Sequence, residues 1–122
     1  MENPLRVTDK LRSIKAEVHS PVRFANSTDR RVNMFWLNYA GGKISYGIIE
    51  IGASPLRIDS FVTHPWIAVD EESKKRLWLN SQDVFYPPTP EIVRIRRGNA
   101  VGRLWRPTNV EITVPGILNI SI

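Results

Sequence analysis

The sequence has no cysteine among its 122 residues. This absence excludes a disulfide-stapled scaffold, thiolate metal ligands and a cysteine nucleophile. No apolar run approaches the roughly 20 residues that a membrane-spanning helix needs, and residues 1–6 lack the apolar segment of a secretory signal. The length suits one domain, so we expect a single soluble domain spanning 1–122 in the cytoplasm, with the nucleus as the alternative in a eukaryote.

Histidines and helix signals are also scarce. His19 and His64 are the only two histidines, and no carboxylate lies at ligand spacing from them, so we expect no metal site and no cofactor. The one candidate helix would begin at Thr8 and carry three apolar residues on one face, namely Leu11, Ile14 and Val18. Residues 1–10 are expected to be flexible.

Short runs of alternating or continuous apolar residues make up most of the chain, which is typical of β-strands. In the segment 32–39, Val32, Met34 and Trp36 point one way, and Phe35, Leu37 and Tyr39 point the other. Ile44, Tyr46 and Ile48 alternate in the same way in the segment 44–48. Similar runs occur at 56–61, 66–69, 77–79, 84–86, 92–97, 100–105 and 110–114. Turn signals between so many short strands predict an all-β fold, an antiparallel β-sandwich.

The charge is moderately basic and unevenly placed. The sequence has 17 Lys and Arg against 12 Asp and Glu, a formal net charge of +5. Arginines cluster in the segment 91–106, which reads as a hairpin turning at Gly98-Asn99 and holds Arg94, Arg96, Arg97, Arg103 and Arg106. This cluster is either a solvated rim or a surface that binds acidic protein or nucleic acid, and nucleic acid is the less favoured partner.

Five residues from neighbouring predicted strands form a candidate binding site, namely Trp36, Tyr46, Ser60, His64 and Trp66. Antiparallel neighbours bring such residues within side-chain reach. Three aromatic walls with one hydroxyl and one imidazole suit a compact apolar ring that bears one polar substituent. The alternative is a set of core aromatics whose histidine and serine are satisfied internally.

A hydrolase built from Ser60, His64 and Asp59 is a weaker hypothesis. The sequence contains no Gly-x-Ser-x-Gly nucleophile elbow. Asp59 and Ser60 are neighbours on one predicted strand and therefore point to opposite faces. We expect a binding module and not an enzyme.

Two blocks are specific enough to suggest a family. They are Trp36-Leu37-Asn38-Tyr39 and the pattern Ser60-Phe61-x-x-His64-x-Trp66. Together with residues 11–14, 22–26, 46, 57–59, 79–87 and 110–115, they resemble the β domain of the von Hippel–Lindau tumour suppressor family. The resemblance implies a β-sandwich that binds 4-hydroxyproline in a peptide of the hypoxia-inducible factor α subunit, in hypoxia signalling.

The resemblance also implies roles for individual residues by matching position. Trp36, Tyr46 and Trp66 would form the pocket walls, and Ser60 and His64 would hydrogen-bond the hydroxyl of hydroxyproline. The hydroxyl of Tyr46 would also reach the peptide backbone.

Some positions depart from the family. Asp59 stands where the animal protein has a histidine that helps hold the peptide, so Asp59 is a further candidate peptide contact. Phe61 replaces a tyrosine and Val62 an arginine, which leaves the preferred peptide sequence open. Residues 91–106 are an insertion with no family role. The helical α domain that grips elongin C has no counterpart here, so elongin C binding and ubiquitin-ligase assembly are not expected from this chain.

Overall fold

The computed structural model describes residues 11–14, 18–98 and 100–116. Within these ranges the chain forms nine strands and no helix, and the expected flexibility of residues 1–10 lies outside them. The strands are β1 (His19–Asn26), β2 (Val32–Leu37), β3 (Lys43–Ile49), β4 (Leu56–Phe61), β5 (Trp66–Asp70), β6 (Arg76–Leu79), β7 (Ile92–Arg97), β8 (Ala100–Trp105) and β9 (Thr108–Thr113).

Seven strands form one sheet in the order β3-β2-β5-β6-β9-β1-β4, and β7 pairs with β8 in a separate hairpin. The prediction of an all-β fold is therefore confirmed. The seven-stranded sheet is nearly closed and barrel-like, however, and not clearly the two-layered sandwich that was expected. β1 and β9 also run parallel, whereas the other paired strands run antiparallel.

The four-residue strand β6 explains why the sheet is continuous. Its first half pairs with β5, at Arg76 and Leu77, and its second half pairs with β9, at Trp78 and Leu79. One short strand thus joins two groups of strands that a sandwich would keep in separate layers. The edges of the resulting sheet are β3 and β4.

The core lies inside the curled sheet. The predicted alternation of β2 is confirmed, because Val32 and Met34 are fully buried in this core whereas Phe35 and Leu37 pack on the other face with Ile67. All five residues of β5 are buried, so this strand is covered on both faces. The interior residues that are least exposed include Val22, Phe24, Trp66, Ala68, Leu79, Val110 and Ile112.

The amino-terminal segment differs from its prediction. Residues 11–14 form no helix, and Leu11, Ile14 and Val18 are largely exposed and share no buried face. The prediction also missed β1, where Pro21 sits in a strand interior. Pro21 pairs with Asp59 of β4 on one side, and on the other side the pairing of β1 with β9 begins only at Val22, so no ladder bond to β9 is lost at Pro21.

Candidate functional site

Trp66 lies at the centre of the aromatic cluster. Its indole Nε1 donates a hydrogen bond to Ser60 Oγ on β4, over 2.9 Å. Its ring meets the Tyr46 ring of β3 at 4.9 Å in an edge-on arrangement. Because β3 and β4 are the two edges of the sheet, Trp66 links both edges at the seam where the barrel nearly closes.

A β-bulge aims Tyr46 toward this seam. Met34 pairs with Gly47 and Phe35 with Ser45, so Tyr46 is the extra residue on β3. Such a bulge reverses the side-chain alternation and re-aims the residue that it contains. Gly47, with φ at +113°, supplies the backbone conformation that the bulge needs.

The bulge also corrects one expectation. The alternation in the sequence put Ile44, Tyr46 and Ile48 on one face. In the structure Ile44 pairs with Trp36, on the face that carries Tyr46, whereas Ile48 pairs with Asn33 on the other face. The inserted residue interrupts the two-residue period with which side chains alternate between the faces of the strand.

Trp36 and His64 complete the group. Their rings stack at 5.1 Å with an interplanar angle of 26°, and the Trp36 ring meets Tyr46 at 6.5 Å. Contacts therefore run from His64 through Trp36, Tyr46 and Trp66 to Ser60. We call these five residues the aromatic box. Trp66, Ser60 and His64 are buried, while Tyr46 is 47% exposed and forms the rim.

Burial determines the charge state of the imidazole. His64 is only 6% exposed, and its burial lowers the pKa of the ring below the ordinary value. Its Nε2 lies 3.2 Å from the Tyr39 hydroxyl. His64 is therefore neutral near pH 7 and can serve as both donor and acceptor.

Tyr39 belongs to the site although sequence reasoning left it out. The alternation along β2 put Tyr39 on the face opposite Trp36, yet the two rings meet at 5.7 Å. The strand ends at Leu37, and Asn38 Oδ1 accepts hydrogen bonds from the amides of Ala40 and Gly42. This turn places the Tyr39 ring against His64. The sequence feature that indicates such a turn is the Asn-x-x-x-Gly pattern of Asn38 and Gly42.

Ser13 is a second residue that was missed. The Trp36 indole donates to Ser13 Oγ over 2.6 Å, and Ser13 Oγ donates to the carbonyl of Leu37 over 2.7 Å. Ser13 is completely buried. It therefore fixes residues 11–14 to the end of β2 and sets the orientation of one box wall.

Asp59 lies outside the aromatic box. Its side chain is 71% exposed, and its carboxylate lies 3.8 Å from His19 Nε2. Ser60, the next residue on β4, is buried in the box. The two residues point to opposite faces, and no Ser60–His64–Asp59 relay is assembled among the described residues.

An open depression on the opposite side of β2 and β5 is separate from the box. Phe35, Lys43 and Ile67 are among the residues that line it, and they alternate along the strands with the box residues. Two of its cationic side chains are paired with carboxylates, Lys74 with Glu71 and Arg76 with Asp83, whereas the Lys43 ammonium lies over the Phe35 ring.

No group of three or more His, Cys, Asp or Glu side chains suited to a metal ion occurs in the part of the chain that the structure describes. The described residues also form no helix that is long and apolar enough to cross a membrane.

The chain is an all-β domain whose aromatic box lies where its seven-stranded sheet nearly closes. A family model for the VHL beta domain matches residues 11–91, and the chain belongs to that family of substrate-recognition domains. The matched range contains the whole aromatic box together with Ser13 and Tyr39. It ends one residue before β7, so the β7–β8 hairpin lies outside it.

Proposed function

We propose that this domain binds peptides that contain 4-hydroxyproline, with the modified ring held in the aromatic box. The observation that carries the proposal is a buried hydroxyl, Ser60, and a buried neutral imidazole, His64, within one group of three aromatic rings. The resemblance of the sequence points to a target like the hypoxia-inducible factor α subunit, met in the cytoplasm or nucleus.

The aromatic walls suit the pyrrolidine ring. That ring is stiff and its backbone already prefers an extended conformation, so binding orders little that was free. Trp36, Tyr46 and Trp66 offer wide apolar surfaces with few rotatable bonds. In the structure Trp66 is fixed by Ser60 and Trp36 by Ser13, so two of the three walls are oriented before a ligand arrives.

The polar pair supplies discrimination. Ser60 Oγ accepts the Trp66 N–H, and its own proton remains available to donate to a ligand hydroxyl. Unmodified proline would cover the Ser60 hydroxyl proton without accepting it and would offer His64 no bond beyond its present contact with Tyr39, and a buried unpaired group costs on the order of 1–3 kcal/mol. Sites of this kind reject the analogue that lacks the hydroxyl by factors of up to about 10⁴.

The domain offers two sheet edges beside the box to which the backbone of a peptide could bind. β3 and β4 end the strand order, and an edge strand presents unpaired N–H and C=O groups to another chain. A peptide whose hydroxyproline enters the box would lie extended along one of these edges, and its main-chain hydrogen bonds would add affinity.

The test is calorimetric titration with two peptides that are identical except for proline or 4-hydroxyproline at one position. Only the hydroxylated peptide should bind strongly. Ser60→Ala and His64→Ala should each weaken that binding, whereas Trp66→Ala should weaken the binding of both peptides. Ser54→Ala, in the exposed turn before β4, is the control and should change neither. Equal affinity for the two peptides would overturn the proposal.

A further inference from the structure

The β7–β8 hairpin presents several arginines on one face. Arg94 lies directly opposite Arg103, and Arg96 follows two residues later on the same strand. Side chains two apart on a strand share a face, so these three exposed arginines lie together with Trp105, which pairs with Ile92 at the base. We call Arg94, Arg96 and Arg103 the arginine face.

Ring contacts join the base of this hairpin to the aromatic box. Trp105 meets the His19 ring at 5.3 Å, and His19 meets Phe61 at 5.5 Å. Phe61 in turn meets His64 of the box at 5.0 Å. The hairpin is thus anchored beside the box, on the side where β4 ends.

The charges of the arginine face are uncompensated. Like charges directly opposite on paired strands repel, so the Arg94–Arg103 pair destabilises the hairpin. Among the described residues none of the three arginines has a carboxylate partner. Other arginines do have one, in the pairs Arg30–Asp70, Arg31–Glu50, Arg76–Asp83 and Arg106–Glu91. A guanidinium in this position is free to bind an incoming carboxylate through two parallel hydrogen bonds.

We propose that the arginine face binds acidic residues of the same peptide whose hydroxyproline enters the aromatic box. The proposal rests on the proposed function of the box. The ring contacts that lead from His64 of the box to Trp105 have centroid distances of 5.0, 5.5 and 5.3 Å. An extended peptide advances about 3.3 Å per residue, so about five residues cover this path. The acidic residues should therefore lie about four to six positions from the hydroxyproline.

An acidic peptide fits this surface better than a nucleic acid does. Binding of single strands combines basic side chains with aromatic rings on which bases stack. The aromatic residue on this face, Trp105, already packs edge-on against His19 and is only partly exposed. What remains accessible is a short row of three positive charges that continues from a peptide-binding site.

The experiment compares hydroxyproline peptides that carry three aspartates, or three asparagines, four to six residues before or after the modified ring. One of the two aspartate peptides should bind about tenfold more tightly than its asparagine counterpart, and added salt should reduce that gain. The triple variant Arg94→Gln, Arg96→Gln and Arg103→Gln should abolish the gain and leave the affinity for the asparagine peptides unchanged.

A matched control removes three positive charges elsewhere. Lys74 and Lys75 lie in the turn after β5 and Arg76 begins β6, at the end of β5 opposite Trp66. The variant Lys74→Gln, Lys75→Gln and Arg76→Gln should keep the full gain. The triple arginine variant should melt no lower than the parent, since all three side chains are exposed and the variant removes the repulsion between Arg94 and Arg103.

The outcomes separate the two proposals. Equal affinity for aspartate and asparagine peptides would overturn the role of the arginine face and leave the hydroxyproline preference intact. Arginine-dependent binding of acidic peptides regardless of hydroxylation would mean an independent acidic site, which contradicts a continuous one. Tighter arginine-dependent binding of a twelve-residue oligothymidine than of any aspartate peptide would also overturn the proposal, in favour of nucleic acid.

Discussion

The indole of Trp66 and the hydroxyl of Ser60 are joined by a 2.9 Å hydrogen bond, and both residues are almost completely buried. The bond connects β5, near the middle of the sheet, with β4 at its edge. It fixes the plane of one aromatic wall and at the same time orients the serine oxygen. One interaction therefore stabilises the barrel seam and prepares the site.

Ser60→Ala should destabilise the fold as well as weaken binding. The Trp66 N–H would be left buried without a partner, which costs about 1–3 kcal/mol. Trp66→Phe removes the same N–H and a part of the ring. The double variant should therefore cost less than the sum of the two single variants, since the orphaned group is gone. Urea unfolding of all four proteins measures this coupling, and strict additivity would contradict it.

Ser13→Ala should release the amino-terminal segment from the end of β2. The Trp36 indole and the Leu37 carbonyl would both lose their bond to the serine hydroxyl, at a cost of about 1–3 kcal/mol. Because Trp36 is a wall of the aromatic box, the affinity for the hydroxyproline peptide should fall too. Urea unfolding and calorimetric titration measure the two effects, and Ser27→Ala, at an exposed position, is the control. Unchanged stability and affinity would show that Ser13 does not hold Trp36.

The sequence predicted the members of the box better than their arrangement. Five residues stood out because aromatic, hydroxyl and imidazole groups rarely occur together on neighbouring predicted strands. They are Trp36, Tyr46, Ser60, His64 and Trp66. Periodicity assigned the two faces of β2 correctly, because that strand alternates without interruption. The same rule failed on β3, where only Gly47 hinted at the bulge that turns Tyr46 inward.

Other features depended on contacts between distant parts of the chain. Ser13 acts through Trp36 and Leu37, more than twenty residues away, and no local pattern reports such a bond. The near-closure of the sheet depends on β6 dividing its pairing between β5 and β9, which alternation within β6 does not reveal. Local propensity defines elements, and long-range pairing decides how they are joined.

Gly47→Ala should lower both stability and peptide affinity. A Cβ at Gly47 would meet no atom within 4 Å, so the penalty is confined to backbone strain at φ +113°. Strain of this kind costs about 1–3 kcal/mol, and relief of it would shift the bulge that carries Tyr46. Gly52→Ala, at φ +74° with equally open space, imposes strain in a turn away from the box.

Thermal unfolding and peptide titration of both glycine variants would distinguish the two effects. Gly52→Ala should lose stability and keep the affinity of the folded protein, whereas Gly47→Ala should lose both. If Gly47→Ala were to bind as tightly as the parent, the bulge would not be what positions Tyr46.

Mild acid should weaken the domain through His64. Burial lowers the pKa of this imidazole in the folded state, so below its ordinary value of about 6.5 the unfolded chain binds more protons than the folded one. The contribution of the neutral ring is complete above that pH, and stability should fall as the pH drops from about 6.5 toward the lowered pKa.

Asp70 acts in a lower pH range and serves as the internal reference. Burial alone would raise the pKa of its carboxyl, but hydrogen bonds from Glu72 and Ser73 and the charge of Arg30 outweigh that effect and lower it. Stability from Asp70 is present above its unfolded pKa, near 4, and is lost only as the pH falls further. Glu71, whose pKa is lowered by its hydrogen bonds to Asn33 and Lys74, contributes in the same lower range. Unfolding measured from pH 8 to pH 3 should therefore show one decline that begins near pH 6.5 and a further one that begins near pH 4. His64→Gln should remove the upper decline and leave the lower one, and an upper decline that persists in this variant would assign it to another group.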